Sequence, residues 1–504
     1  MYETKKIREI AERKSDEIAQ IQHSIFDLAE YGYEVQKSAS YLEALLEKEG
    51  FQVERGIGDI ETAFVGTYGS GNPVIGILAE FDALPNLSQK AGETKRCPIE
   101  GKAYGHACGH SALAAGTVGA AIVAKEYLKE TGKTGTVKVF GCPAEETGFG
   151  KSFMVKRGCF EGVDMCFTWH PMDHTSLWGR TLGYYKVRFD FKGTASHAGG
   201  APELGRSALD ACELMNVGVN YLREHIISSA RVHYAYLDAG GDAPNIVQDH
   251  ASLLYFVRAP RLADSAAILE RVKKIAKGAA LMTETEVNIK VLGGMSDNIP
   301  NPTASRILSD AFVAEGGPDF TEEEFAIARR FLDILSPQER EKAIHMGAKM
   351  QGISEEEFAK RPLVTRVEPA DERSMEKQYT ASTDVGDVSY NVPTTQYAGT
   401  TSIPGTGLHT WQFAAQVGTS IGDKGSIAVA RAIARACAEV WENPEVVKTA
   451  KKELLETTGG VYVSPLPDDV KPTTNARTII WHQFCFLLFF KLLKVLLDTE
   501  LGVS

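Results

Sequence analysis

The chain has 504 residues, 43% of them hydrophobic and 24% charged, with a formal net charge of -12. That is a normal composition for a folded protein, and too long a chain for one simple core, so two domains are expected. The acidic balance leaves no basic stripe to neutralise phosphates, which argues against nucleic acid as a partner.

From the N-terminus, Ile7, Ile10, Ala11, Ile18 and Ile21 among Lys, Arg and Glu predict a charged amphipathic helix with no apolar signal-peptide core. Residues 74–78, 136–140 and 165–169 have strand length and β-branched or aromatic content, and the Ala-rich stretch 113–128 predicts a helix between them. Each strand is followed by ionisable residues: Glu80 and Asp82, then Glu145 and Glu146, then His170. An α/β sheet places its ligands there, beyond the carboxyl ends of its strands.

The texture changes near residue 185. Strands at 185–191, 231–237, 251–257 and 286–292, with helices at 207–221 and 264–280, give the βαββαβ order of a ferredoxin-like layer. Residues 302–377 are rich in Glu, Lys, Arg and Ala and predict helices. A strand at 394–398, a Gly-rich loop reaching His409 and a helix at 425–441 restore the α/β pattern. The expected organisation is a catalytic domain at 1–184 and 381–471, a lid or dimerisation domain inserted at 185–300, and a helical insertion at 301–380. An atypical apolar tail occupies 472–504. Within it, residues 479–497 have the length of a membrane anchor, but His482, Gln483, Lys491 and Lys494 interrupt them, so membrane attachment is not expected. The eight cysteines lack the dense spacing of a disulfide framework, which points to a reducing, cytoplasmic compartment.

The chemistry gathers in two motifs. In Gly105-His106-Ala107-Cys108-Gly109-His110, a thiol and an imidazole flank a glycine that permits a tight turn, and both can face one metal ion. A buried cysteine beside a helix-capping histidine would look the same. In Pro143-Ala144-Glu145-Glu146, adjacent carboxylates after a buried strand call for a compensating positive charge. One can bind metal while the other deprotonates an activated water, unless the pair is only an exposed acidic turn. His170, before Pro171, and His409 fall at the same expected sheet edge. A lone histidine is usually just hydrogen-bonded, so the combined count, and not any single member, favours a metal centre.

These stretches, with Trp169-His170-Pro171, Ser196-His197-Ala198 and Leu408-His409-Thr410, resemble in order the pattern of M20-type metallopeptidases and amidohydrolases. More narrowly they resemble the branch containing the aminobenzoyl-glutamate hydrolase B subunit. The resemblance spans about residues 1–471 and implies an α/β metallopeptidase-type catalytic domain, discontinuous around an α+β lid. It implies Cys108, His110, Glu146, His170 and His409 as ligands of two divalent ions, zinc or manganese, with Glu145 as general base. Asp82 would orient the site from behind the ligands. His197 and Asn245 would contact the scissile group's oxygen and Arg258 a substrate carboxylate, although Arg258 also reads as a solvated strand-end charge. Ser111 departs from the pattern, since many relatives carry Asp there, and this puts the orientation of His110 in question.

The function so implied is hydrolysis of an N-acyl amino-acid amide bond, p-aminobenzoyl-glutamate to p-aminobenzoate and glutamate being the nearest case. Other N-acyl amino acids, indoleacetyl-amino acids and dipeptides are alternative substrates, and a non-catalytic, partner-binding subunit is the alternative of another class. A homodimer, or a heterodimer with a related subunit, is expected.

Overall fold

The computed structural model describes residues 2–473, so the apolar stretch 479–497 lies outside the described residues. The chain divides into two compact units. One takes in Met1–Tyr184, Pro260–Leu262 and Met295–Leu466; the other takes in Tyr185–Ala259 and Ala263–Gly294. In chain order the strands are β1 (Gln52–Arg55), β2 (Phe64–Ser70), β3 (Val74–Glu80), β4 (Leu84–Pro85), β5 (Tyr104–Gly105), β6 (Gly135–Cys142), β7 (Met165–Met172), β8 (Ser176–Trp178), β9 (Gly183–Lys192), β10 (Arg231–Asp238), β11 (His250–Ala259), β12 (Glu286–Met295) and β13 (Thr394–Thr400).

The first unit is built on a seven-stranded sheet of order β1-β2-β6-β3-β7-β13-β8. Its four central strands, β6, β3, β7 and β13, are parallel, and antiparallel β2 and β8 flank them. The central four are the strands the sequence predicts. All four are buried, and β3, β6 and β7 read as largely apolar runs, whereas β13 is equally buried but rich in threonine. Their parallel register brings Glu80 level with Cys142 and Ala398 level with His170, so chemistry scattered along the chain meets at one edge.

The Ala-rich helix runs over His110–Thr131 and is buried along almost its whole length. Small residues let it approach the sheet closely: a Cβ on Gly116 would lie 2.7 Å from the Trp169 indole nitrogen. That indole donates to Leu113 O at 3.1 Å, fixing the helix to the strand that carries His170. The helix Ser420–Glu442 packs alongside, and Ile18, Ile21 and Ile25 complete the same core. Each large apolar side chain fully buried there contributes about 1.5–3 kcal/mol.

One expectation is corrected, and two strands are unforeseen. The single N-terminal helix is two, Tyr2–Arg13 and Ser15–Leu28, parted at Lys14, whose φ of -101° and ψ of 2° leave helical geometry. The Lys14 ammonium turns instead to Glu17 and Glu49 at 2.8 and 3.0 Å. Strands β1 and β2 also escape the sequence pattern, because β1 is short with no buried residue and glycines dilute the apolar run in β2.

The second unit has the βαββαβ order, with helices Ala208–Leu222 and Leu262–Thr283 and sheet order β10-β11-β9-β12. Alternate residues of β9 (Val187, Phe189, Phe191) pack with Ala211, Met215 and Val272 in its own core. The 301–380 stretch falls within the first unit and is helical, beginning with Pro302–Glu315 and Glu322–Asp333. Phe325, Phe331 and Leu332 pack with Ile403 and Ala415, which flank the loop that carries His409.

Candidate metal centre

Cys108 and His110 are held by a backbone turn. Gly109 between them has φ +82°, and a Cβ there would meet Pro171 Cβ at 2.7 Å and the Phe413 ring at 3.0 Å. Only glycine fits both the left-handed conformation and the space. His106 is not among the grouped donors. Its Nε2 lies 2.9 Å from Ile25 O, and burial pushes its pKa down to about 3, so it anchors the loop as a neutral ring.

His110 opens its helix, fully buried, with Nδ1 3.1 Å from Asp82 Oδ1. Its Nε2 faces inward, 3.3 Å from Glu80 and 3.9 Å from Glu146. Asp82 also accepts from the Glu146 backbone N–H at 3.1 Å, so one carboxylate orients both a histidine and the glutamate loop. This answers the doubt raised by Ser111: its hydroxyl is buried without a hydrogen-bond partner among the described residues, and the orientation of His110 comes from Asp82.

His170 sits in β7, its Nδ1 3.0 Å from Pro171 O and its Nε2 3.4 Å from Cys108 Sγ. A proton on Nδ1, donated to that carbonyl, leaves the Nε2 lone pair facing the thiol. His409 has a left-handed backbone, φ +61°, and its N–H donates to Ala107 O at 2.8 Å. Its ring is exposed, with Nε2 3.4 Å from Glu146 Oε1. Glu145 and Glu146 lie on a loop bounded by left-handed Ala144 and Phe149, and the Tyr33 hydroxyl donates to Gly148 O within it.

Among the described residues, donor atoms fall into three overlapping groups, each within 4.8 Å: Cys108, His110 and His170; Cys108, Glu146 and His409; and Glu80, His110 and Glu145. The first two share the cysteine. All five expected ligands are therefore brought together, with Glu145 and Asp82 beside them.

Electrostatics says what the cluster lacks. Burial, then Glu146 and Glu145, pushes the Cys108 thiol well up. Burial, then Glu80 and Glu146, pushes the Glu145 carboxyl well above its usual range. Burial opposes the His110 charge, but Asp82 and Glu80 raise its pKa to about 10. Burial, then His110, lowers His170 to about 4. Glu146, despite burial, is held at about 2 by His409 and His110. Left to protein groups alone, the excess negative charge is met by protons on His110, Cys108 and Glu145. Among the described residues, His110 Nε2 and Glu146 Oε1 are buried with ion-pair contacts, to Glu80 at 3.3 Å and to His409 at 3.4 Å, but no hydrogen bond of good geometry. Thiolate, imidazole and carboxylate donors so arranged fit divalent transition ions, whose binding replaces the protons.

Two residues without an assigned role in the sequence reading lie beneath the cluster. Lys151, without exposed surface, has its Nζ 2.7 Å from Glu80 Oε1 and paired with Asp384. Its backbone N–H donates to Asp384 Oδ2 at 2.8 Å. A lysine next to the glutamate loop reads as an ordinary helix charge, and its partners are 71 and 233 positions away (151 − 80 and 384 − 151). No local pattern reveals it.

His197, Asn245 and Arg258 belong to the second unit. His197 and Asn245 are neighbours, with Ala198 N–H donating to Asn245 O at 2.9 Å. His197 Nδ1 accepts from the N–H groups of Gly199 and Gly200, leaving Nε2 available. Arg258, half-buried on β11, lies 5.4 Å over the Phe256 ring.

The model of peptidase family M20/M25/M40 matches residues 76–489. The chain belongs to this family. It is 40% identical over 457 residues to the B subunit of p-aminobenzoyl-glutamate hydrolase from Escherichia coli (strain K12), covering 90% of this chain and 95% of that one. It is 28% identical over 385 residues to the Xaa-Arg dipeptidase of Mus musculus, covering 75% and 73%. Among solved structures, a dinuclear metal-binding M20 peptidase from Bacillus subtilis superposes with a TM-score of 0.55 at 16% identity, over 86% of this chain and 99% of that one, a likeness of fold. The chain is thus an M20 hydrolase acting on amide bonds, with the α/β architecture that the sequence predicts.

Proposed function

We propose that this M20 hydrolase is metal-dependent and cleaves the amide bond of an N-acyl amino acid, p-aminobenzoyl-glutamate first among candidates. The observation that carries the metal reading is the pair of donor groups sharing Cys108 at the carboxyl edge of the parallel strands. The substrate follows from the relative that matches nearly end to end.

Cys108, His110, Glu146, His170 and His409 would hold two divalent ions, zinc or manganese suiting such mixed donors. When bound, the metal polarises the amide carbonyl and makes water acidic enough to attack at neutral pH. The protein's own contribution is proton management. Glu145 is half-buried beside the donors and its carboxyl has a raised proton affinity. It takes the proton from the attacking water and delivers it to the leaving amine. Asp82 keeps His110 turned inward throughout. His197 and Asn245 would stabilise the developing oxyanion and Arg258 grip a substrate carboxylate, on the family resemblance.

A second reading concerns assembly. The bacterial relative is named as one subunit of its hydrolase, which favours a dimer with a related chain over a lone catalyst. A cytoplasmic location fits the seven described cysteines, all free.

The test is Glu145→Gln assayed with p-aminobenzoyl-glutamate and a panel of other N-acyl amino acids and dipeptides. The variant should keep its metal content and lose about 10²–10⁴-fold in turnover. Unchanged turnover sinks the proton-transfer role. Cleavage of another panel member in preference to p-aminobenzoyl-glutamate reassigns the substrate.

A further inference from the structure

Three donor groups are present among the described residues, yet the hydrolytic reading uses two. The third, Glu80 with His110 and Glu145, has the same 4.8 Å compactness and two carboxylates. A divalent ion there would draw His110 from its place with Cys108 and His170, and would take from Glu145 the lone pair that proton transfer needs. We propose that Lys151 is a built-in cation that keeps this third position closed to metal, leaving Glu145 free as the base. The proposal rests on the metal-dependent reading above and adds a residue that touches neither substrate nor metal.

The geometry is specific. The Lys151 ammonium sits 2.7 Å from Glu80 Oε1, on the side of that carboxylate away from His110, which faces Oε2 at 3.3 Å. Asp384 holds the lysine from behind through both its ammonium and its backbone N–H. Both side chains have no exposed surface. Glu80 and Asp384 therefore carry two buried negative charges against one positive charge, and Glu145 lies beside them. Buried carboxylates stripped of a cation must take up protons or another cation. An ammonium is a compact point charge with three donors and no acceptor. It balances the charge of Glu80 as a metal would, but it cannot ligate one and repels any that approaches. A structural lysine elsewhere in the core would have no effect on how many metal ions bind.

The experiment is equilibrium dialysis of the full chain against Mn²⁺ followed by elemental analysis, with turnover measured as Mn²⁺ is raised beyond filling. Lys151→Met should bind one further equivalent of Mn²⁺ and lose turnover as that equivalent binds. Adding Glu80→Gln to it should abolish the extra equivalent, and Lys151→Arg should keep the wild-type stoichiometry. Should Lys151→Met fail to fold, Lys151→Met/Asp384→Asn restores the net charge of the triad and should show the same extra uptake. Wild-type protein that binds no Mn²⁺ or Zn²⁺ overturns the metal reading itself. Wild-type protein that binds metal, beside a folded variant of unchanged stoichiometry and unchanged tolerance of excess Mn²⁺, overturns only the role of Lys151.

Discussion

Replacing Gly109 with alanine tests whether the turn between Cys108 and His110 is set by backbone geometry. Its φ of +82° lies in the left-handed region, where an L side chain costs about 1–2 kcal/mol. The added Cβ would also stand 2.7 and 2.9 Å from Pro171 Cβ and Cγ, and 3.0 Å from the Phe413 ring. Neither neighbour is the free end of a flexible chain, so overpacking adds about 1–3 kcal/mol. The sum is about 2–5 kcal/mol. It falls on the segment that carries two proposed ligands, so metal-linked stabilisation should diminish as well. Urea unfolding followed by tryptophan fluorescence is the assay, because Trp169, Trp178, Trp411 and Trp441 all belong to the first unit. Run with chelator, Gly109→Ala should lose the strain alone; run with Mn²⁺, the gap from wild type should widen. A variant within about 0.5 kcal/mol of wild type in chelator, with full metal content, refutes the reasoning, since that is the range of an uninvolved surface substitution.

Metal binding should release protons, because the metal-free cluster keeps them on His110, whose pKa is about 10, and on the raised Cys108 and Glu145. Zn²⁺ added to chelator-stripped protein in weakly buffered solution at pH 7, with an indicator dye, should acidify it; no acidification contradicts the charge assignment. Away from the site, Glu324 is buried, which alone would raise its carboxyl, but Lys424, the Thr321 N–H and Ser420 hold its pKa at about 2 against 4.5. Such a depressed acid contributes stability above pH 4.5 and loses it as pH falls toward 2, about 3 kcal/mol in all. Glu324→Gln should therefore be less stable by up to that amount at pH 7, with the gap closing by pH 2–3 in urea titrations. A gap that is constant with pH assigns the loss to packing.

What the sequence makes legible here follows from which interactions are local. Strands β3, β6 and β7 announce themselves because burial on both faces leaves a largely apolar run, and parallel pairing then carries Glu80, Glu146, His170 and His409 to one edge. Cys108 and His110 are legible because the glycine between them is a local requirement of the turn. Lys151 is illegible for the opposite reason: its meaning lies in Glu80 and Asp384, distant in sequence and brought to it only by the assembled sheet. Ser111 misleads in the same way. A missing acid beside His110 reads as a weakened site, but the orienting carboxylate comes from Asp82, after the neighbouring strand β3. The paired glutamates show the limit most sharply. Adjacent in sequence and alike in chemistry, they differ by environment: Glu146, despite burial, faces two histidines and is held ionised, while burial and then the neighbouring carboxylates drive Glu145 toward its protonated form. On the proposed function, that difference suits one of two identical side chains to hold metal and the other to move protons.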